Sequence, residues 1–245
     1  MKFLGVIPAR YGSSRFEGKP LANIHGKTMI EWVYKRALQS NLDKIVVATD
    51  DERIEKAVKE FGGEVIMTSK THETGTDRIA EVAKHFKDYE VIVNIQGDEP
   101  LISSNVINLL IEPFRIEKNL QMATLKYKLD SMEDVDNVNN VKVITDKNNF
   151  AIYFSRNPIP FPRNLNIENY YKHIGIYAYK RDFLIEYSLM PQTSLELSES
   201  LEQLRVLENG YKIKVIETKE KILGVDTPED LNRVINYIKE YNIKI

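Results

Sequence analysis

The chain has 245 residues, 42% of them hydrophobic, which is long enough for one large α/β domain with a substantial core and cramped for two independent ones. A formal net charge of -2 gives no overall basic surface for nucleic acid or an anionic membrane, so any anion site must be local. The absence of cysteine excludes disulfide staples, thiolate nucleophiles and cysteine-ligated zinc, and no apolar run approaches the roughly 20 residues of a membrane helix, so the expectation is a soluble, cytoplasmic protein.

Phe3 to Ile7 reads as a strand that empties into a loop carrying Arg10, Arg15 and Lys19 beside Gly12, Ser13, Ser14 and Gly18. Glycine backbone can approach an anion closely, and three cations so near one another suit a polyphosphate better than a single carboxylate. Two familiar phosphate loops are excluded by spacing. A Walker loop needs four residues between its glycines and Ser or Thr after its Lys, whereas five separate Gly12 from Gly18 and Pro20 follows Lys19. A dinucleotide fingerprint needs three close glycines, and this loop has two, far apart. The bland alternative is a solvated basic loop.

Thr28 to Leu38 has helical spacing, Lys44 to Ala48 is an apolar strand, and a helix over Glu52 to Phe61 follows Asp50 and Asp51, both read as N-cap residues. Glu64 to Met67 is a strand and Thr76 to Phe86 a helix. Glu90 to Ile95 reads as a central strand delivering Gln96, Gly97 and Asp98 to its carboxyl end, then come a helix near Ser103 to Glu117 and a strand at Gln121 to Leu129. Strands alternating with helices predict a Rossmann-like, mostly parallel sheet flanked by helices, with ligands bound at the carboxyl edge.

The character changes after Leu129. Residues 130–140 are acidic and Asn-rich, strands dominate to Tyr179, and three prolines keep 157–164 out of helix and central strand, giving a smaller strand-rich lobe. We place that lobe at about 130–194, and the core lobe at 1–129 with 195–245. Leu195 to Leu207 reads as one helix with Glu199 and Gln203 together at i and i+4. Lys212 to Ile216 is a strand, and Thr227 to about Tyr241 a closing helix whose start is marked by Thr227 and Pro228. In Tyr171 to Tyr179, strand alternation puts His173, Gly175, Tyr177 and Tyr179 on one face. His25, His72 and His85 read as solvated surface. Asp98 and Asp226 each follow a strand and a glycine, so each can reach a ligand at the sheet edge. Sequence physics leaves them evenly divided between helix caps and Mg²⁺ ligands.

The stretch IPARYGSSRFEGKPL (Ile7 to Leu21) resembles the opening signature of the 3-deoxy-manno-octulosonate (Kdo) cytidylyltransferases, or CMP-Kdo synthetases. The likeness continues through ATDD (Ala48 to Asp51), TGTDR (Thr74 to Arg78), NIQGDEP (Asn94 to Pro100), YFSRNPIP (Tyr153 to Pro160), HIGIYAY (His173 to Tyr179), LEQLR (Leu201 to Arg205) and GVDTPEDL (Gly224 to Leu231). Blocks in this order over nearly the whole chain are highly specific. One mild departure is Phe16-Glu17 at positions often filled by Leu-Pro.

The resemblance implies a type A-like nucleotidyltransferase fold that joins CTP to Kdo, and a homodimer formed through the smaller lobe, with no nucleic-acid or membrane partner. It tips Asp98 and Asp226 toward Mg²⁺. The implied nucleotide set is Pro8, Ala9, Arg10, Ser13, Arg15, Lys19, Arg78 and Gln96, with Lys19, Arg10 and Asp98 catalytic. The implied sugar set is Gln96, Arg156, His173, Tyr177, Glu199 and Gln203. The rival expectations are a cytidylyltransferase for sialic acid or amino-substituted Kdo, a sugar-1-phosphate nucleotidyltransferase, and a regulator that binds CTP without turnover.

Overall fold

A computed structural model describes residues 1–12, 16–163 and 170–245, so the predicted contacts of Ser13 and Arg15 lie outside the described residues. The chain divides into two compact units, residues 1–108 with 222–245, and residues 109–221. In chain order, β1 (Phe3–Ala9) leads through a single 3-10 turn at Lys19–Leu21 to a short antiparallel pair, β2 (Asn23–Ile24) and β3 (Lys27–Thr28). Next come α1 (Met29–Ala37), β4 (Lys44–Thr49), α2 (Glu52–Glu60), β5 (Val65–Met67), α3 (Gly75–His85), β6 (Val91–Asn94) and α4 (Ser104–Ile116). The second unit continues with β7 (Met122–Lys128), α5 (Met132–Asp136), β8 (Lys142–Thr145), β9 (Ala151–Ser155), β10 (Tyr171–Lys180), α6 (Arg181–Tyr187), α7 (Ser194–Glu199), α8 (Leu204–Glu208) and β11 (Ile213–Glu217). Finally α9 (Pro228–Glu240) returns the chain to the first unit.

In the first unit the strands run in the order β5-β4-β1-β6, all parallel, with Leu4 opposite Lys44 and Phe3 opposite Val91. Unbroken apolar runs make this possible, because a strand between helix layers is buried on both faces. Phe3, Leu4, Val6, Ile7, Val46, Val47, Val91, Ile92 and Val93 are all fully buried. The helices start where side-chain oxygens replace the missing acceptors of the first turn. Thr28 accepts from the Glu31 amide, and Thr74 with Asp77 and Thr227 with Asp230 form reciprocal capping boxes. A cluster of Ile24, Met29, Trp32, Val225, Val234 and Ile238 joins α1 to α9, and Phe16 lies against it. The Phe-Glu departure thus supplies an anchor to this cluster.

In the second unit β10 is antiparallel to β7, β7 is parallel to β11, and β8 is antiparallel to both β9 and β10. A register shift between Ile174 and Tyr177 interrupts the β10–β7 ladder. The helix expected over Leu195 to Leu207 is broken in two. Ser200 takes a left-handed φ of 52°, Thr193 and Glu196 form a capping box, and Glu196 is paired with Arg205, both nearly buried. That pair folds α8 back on α7, so Glu199 and Gln203 do not share a helix face and Leu197 is exposed rather than core. Among the described residues, no helix is long and apolar enough to cross a membrane.

Candidate active site

The carboxyl ends of β1 and β6 meet closely because Gly97 has no side chain. A Cβ there would stand 2.9 Å from the Pro8 carbonyl oxygen, inside normal contact. Gly18, at φ 69°, turns the chain into the 3-10 turn and aims Lys19 back at this edge. The Lys19 ammonium donates to Asp98 at 2.7 Å and to the Val225 carbonyl at 2.9 Å, and lies 3.6 Å from Asp226. The Val225 amide donates to the Asp98 carbonyl at 2.8 Å, which holds the two aspartate-bearing segments side by side. Neither aspartate caps a helix in the expected bland way. Thr227 caps α9, and Asp226 gives its amide to Asp230.

Two carboxylates against one ammonium leave one negative charge over (-2 + 1 = -1) at this edge. Their side chains are 34% and 54% exposed, so both can reach a ligand, and they supply the hard oxygen donors that Mg²⁺ prefers. Among the described residues, no group of three or more His, Asp or Glu side chains forms a metal cluster, so an ion here would complete its shell from substrate and water.

Arg10 is exposed just past β1, its Nη1 donating to the Glu73 carbonyl at 3.2 Å; Pro8 is half-buried and Ala9 buried beside it. Gln96 is half-buried after β6. Arg78 is neither a surface ion-pair partner nor an exposed cation of the site. Its side chain is fully buried, donating to Thr68 and, at 3.0 Å, to Asp50, so it braces the loops after β4 and β5. Asp50 is therefore not an N-cap; only Asp51 caps α2. His72 is half-buried and bonded to Glu81, unlike the exposed His25 and His85.

The residues expected at the sugar lie in the second unit. Arg156 donates Nε to the Glu199 carbonyl at 2.8 Å, with Nη1 and Nη2 on the carbonyls of Val138 and Ser200. All three acceptors are neutral, so its charge has not been spent on a carboxylate. Glu199 accepts from the Ser155 hydroxyl at 2.7 Å and from the Arg156 amide at 2.9 Å, which makes it a brace for Arg156. Reading the residues singly missed Ser155, although it adjoins Arg156 in the YFSR block. Gln203 is buried, with no hydrogen-bond partner for its Nε2. His173 and Tyr177 share a face as expected, their rings 5.4 Å apart, and Phe154 meets His173 edge-on at 5.0 Å.

Burial pushes the His173 imidazole down to about 3. The Thr124 hydroxyl lies 3.1 Å from His173 Nε2 and 2.9 Å from the carbonyls of Ile174 and Ile176. A hydroxyl has one proton and those carbonyls can only accept, so His173 donates from Nε2, and burial keeps the ring neutral at pH 7. Because the folded value is below the ordinary 6.5, the unfolded chain binds this proton first. Stability from this group is complete above about pH 6.5 and falls as pH drops toward 3. At pH 5 the expected loss is about 2 kcal/mol, and urea unfolding at pH 7.5 and pH 5 should show it in the parent and not in His173→Gln.

A family model described as Cytidylyltransferase matches residues 4–219. A 3-deoxy-manno-octulosonate cytidylyltransferase of Fusobacterium nucleatum is 65% identical over the whole of both chains. One from Trichlorobacter lovleyi is 51% identical, covering 98% of this chain and all of the relative. Among solved structures, a CMP:2-keto-3-deoxy-manno-octonic acid synthetase complexed with CTP superposes with a TM-score of 0.94 at 45% identity, covering 98% of this chain and all of that one.

Proposed function

The chain belongs to the cytidylyltransferase family, and from that membership we propose that it joins CTP to the sugar acid Kdo, yielding CMP-Kdo and diphosphate. The anomeric hydroxyl of Kdo attacks the α-phosphorus of CTP in line. A new sugar oxygen–phosphorus bond forms as the bond to the diphosphate breaks, and the hydroxyl proton leaves to solvent. No covalent enzyme intermediate is needed, so catalysis consists of positioning and charge stabilisation. The observation that carries this reading is the Lys19 ammonium at the sheet edge, 2.7 Å from Asp98 and 3.6 Å from Asp226. Lys19 lies against the α-phosphate and leaving oxygen, and Arg10 and Arg15 hold the outer phosphates. Asp98 and Asp226 would hold Mg²⁺, which would supply positive charge to offset that of the phosphate oxygens.

Arg156 takes the sugar carboxylate, for which its planar fork is suited. Gln203, His173 and Tyr177 meet sugar hydroxyls, Glu199 keeps Arg156 in place, and Gln96 is near nucleotide and sugar. Arg156→Ala is expected to raise the KM for Kdo by about 50-fold, because alanine cannot make the charge-assisted, two-pronged pair with the carboxylate, while the KM for CTP changes less than about twofold. Equal effects on both constants, measured by initial rates, would remove Arg156 from the sugar site.

The function itself is tested by diphosphate release from CTP and Mg²⁺ with Kdo, amino-substituted Kdo or sialic acid in parallel. Release with Kdo supports the reading, release only with another sugar acid redirects it, and CTP binding without release marks a regulator. The product would feed lipopolysaccharide or capsule synthesis, with the enzyme in the cytoplasm as a homodimer.

A further inference from the structure

Arg53, in the first turn of α2, has no part in the groups assigned above, yet its guanidinium carbon lies 3.2 Å from the centre of the Tyr11 ring. The fork is fixed in orientation: Nε and Nη2 donate to Asp51 at 2.9 and 2.6 Å, and Asp51 is itself anchored by accepting from the Arg53 amide. Tyr11 is also tied to Gly18. The Gly18 amide donates to the Tyr11 carbonyl at 2.9 Å, and a Cβ on Gly18 would stand 3.1 to 3.2 Å from the tyrosine Cζ, Cε2 and Oη. The ring thus fills the space that a side chain on residue 18 would need, and the next residue is Lys19.

Contacts thus run without a gap from Asp51 through Arg53, Tyr11 and Gly18 to the lysine at the sheet edge. An ion pair in which the arginine is 58% exposed stabilises the fold little by itself. Its charge is already matched by Asp51, so attraction of an anion is not its main use either. A guanidinium can pair edge-on with a carboxylate while its face lies on an aromatic ring, and an ammonium cannot do both. Holding a binding turn in its bound shape before the ligand arrives removes an ordering cost from binding.

We propose that Arg53 is a positioning residue for nucleotide binding, its Asp51-oriented guanidinium pressing the Tyr11 ring onto Gly18 so that Lys19 is aimed at the phosphates. This rests on the reading of Lys19 as a phosphate-binding residue. Arg53→Ala and Tyr11→Ala should each lower kcat/KM for CTP about tenfold, with the KM for Kdo and the unfolding midpoint unchanged. The double variant should be no worse than the worse single one, since both break the same chain of contacts. Arg53→Lys should be as impaired as Arg53→Ala; restored activity in Arg53→Lys would show that charge alone matters and would overturn the proposal, as would full additivity. Exchange of the Gly18 amide in the absence of nucleotide decides the matter independently: faster exchange in Arg53→Ala supports the clamp and unchanged exchange overturns it. A parent chain that released no diphosphate would instead sink the functional reading, leaving that exchange result to stand on its own.

Discussion

Replacing Lys19 by alanine is expected to lower turnover about a thousandfold while the protein remains folded. Charge moves onto the diphosphate oxygen as the bond to the α-phosphorus breaks, and a preorganised cation at that oxygen is worth several kcal/mol of barrier. The cost to the fold is much smaller. Lys19 is 15% exposed, but its partners Asp98 and Asp226 are 34% and 54% exposed, so water takes over much of their solvation when the ammonium goes. About 1 to 2 kcal/mol of stability should be lost, a midpoint shift of only a few degrees in a chain of this size. Diphosphate release, read beside a thermal melt, separates the two effects. A folded Lys19→Ala protein with normal turnover would remove the residue from the chemistry.

The layered fold could be read from the sequence because its signals are local. Unbroken apolar runs such as Lys44 to Ala48 gave buried parallel strands, and Thr227 marked a helix start through the hydrogen bond it goes on to make. The anion loop was legible for the same reason: its cations and glycines are neighbours in the chain. What failed depended on partners distant in sequence. Leu197, Leu201 and Leu204 keep a helical spacing across Ser200, and nothing in that spacing announces that Arg205 will turn back to bury itself against Glu196. An arginine amid an amphipathic helix reads as surface, so the burial of Arg78 showed only once Asp50 and Thr68 were seen beside it. Assigning both Asp50 and Asp51 as caps overlooked that a helix has one N-cap position, which Asp51 fills. The meeting of Asp98 with Asp226 lay between these cases. Each was visible as a carboxylate after a strand, but only the backbone bond from Val225 to Asp98 and the shared lysine bring them together.

Asp98→Asn is expected to reduce turnover by about two to three orders of magnitude and to cancel the stabilisation that CTP with Mg²⁺ gives the parent protein. Asparagine keeps the shape of the side chain and an oxygen that can accept from Lys19, so packing and the 2.7 Å contact need not change. What changes is charge. The edge goes from one surplus negative charge to none (-1 + 1 = 0), and a divalent ion bound there would lose one of the two carboxylates proposed to hold it. For the parent, ligand at about a hundred times its Kd adds about 2.7 kcal/mol, which raises the midpoint by roughly 5 to 10 °C in a chain of this length. Asp98→Asn should show almost none of that rise while melting near the parent temperature without ligand, because relief of the repulsion between the two aspartates offsets the weakened pairing with Lys19. The double replacement of Asp98 and Asp226 gives the sharper result. If both carboxylates hold one ion, the second substitution costs little beyond the first, and if they act at separate places, the two losses in kcat multiply. Multiplying losses, or an undiminished midpoint rise with Mg²⁺ and CTP in Asp98→Asn, would break the link between the two aspartates on which the mechanism depends.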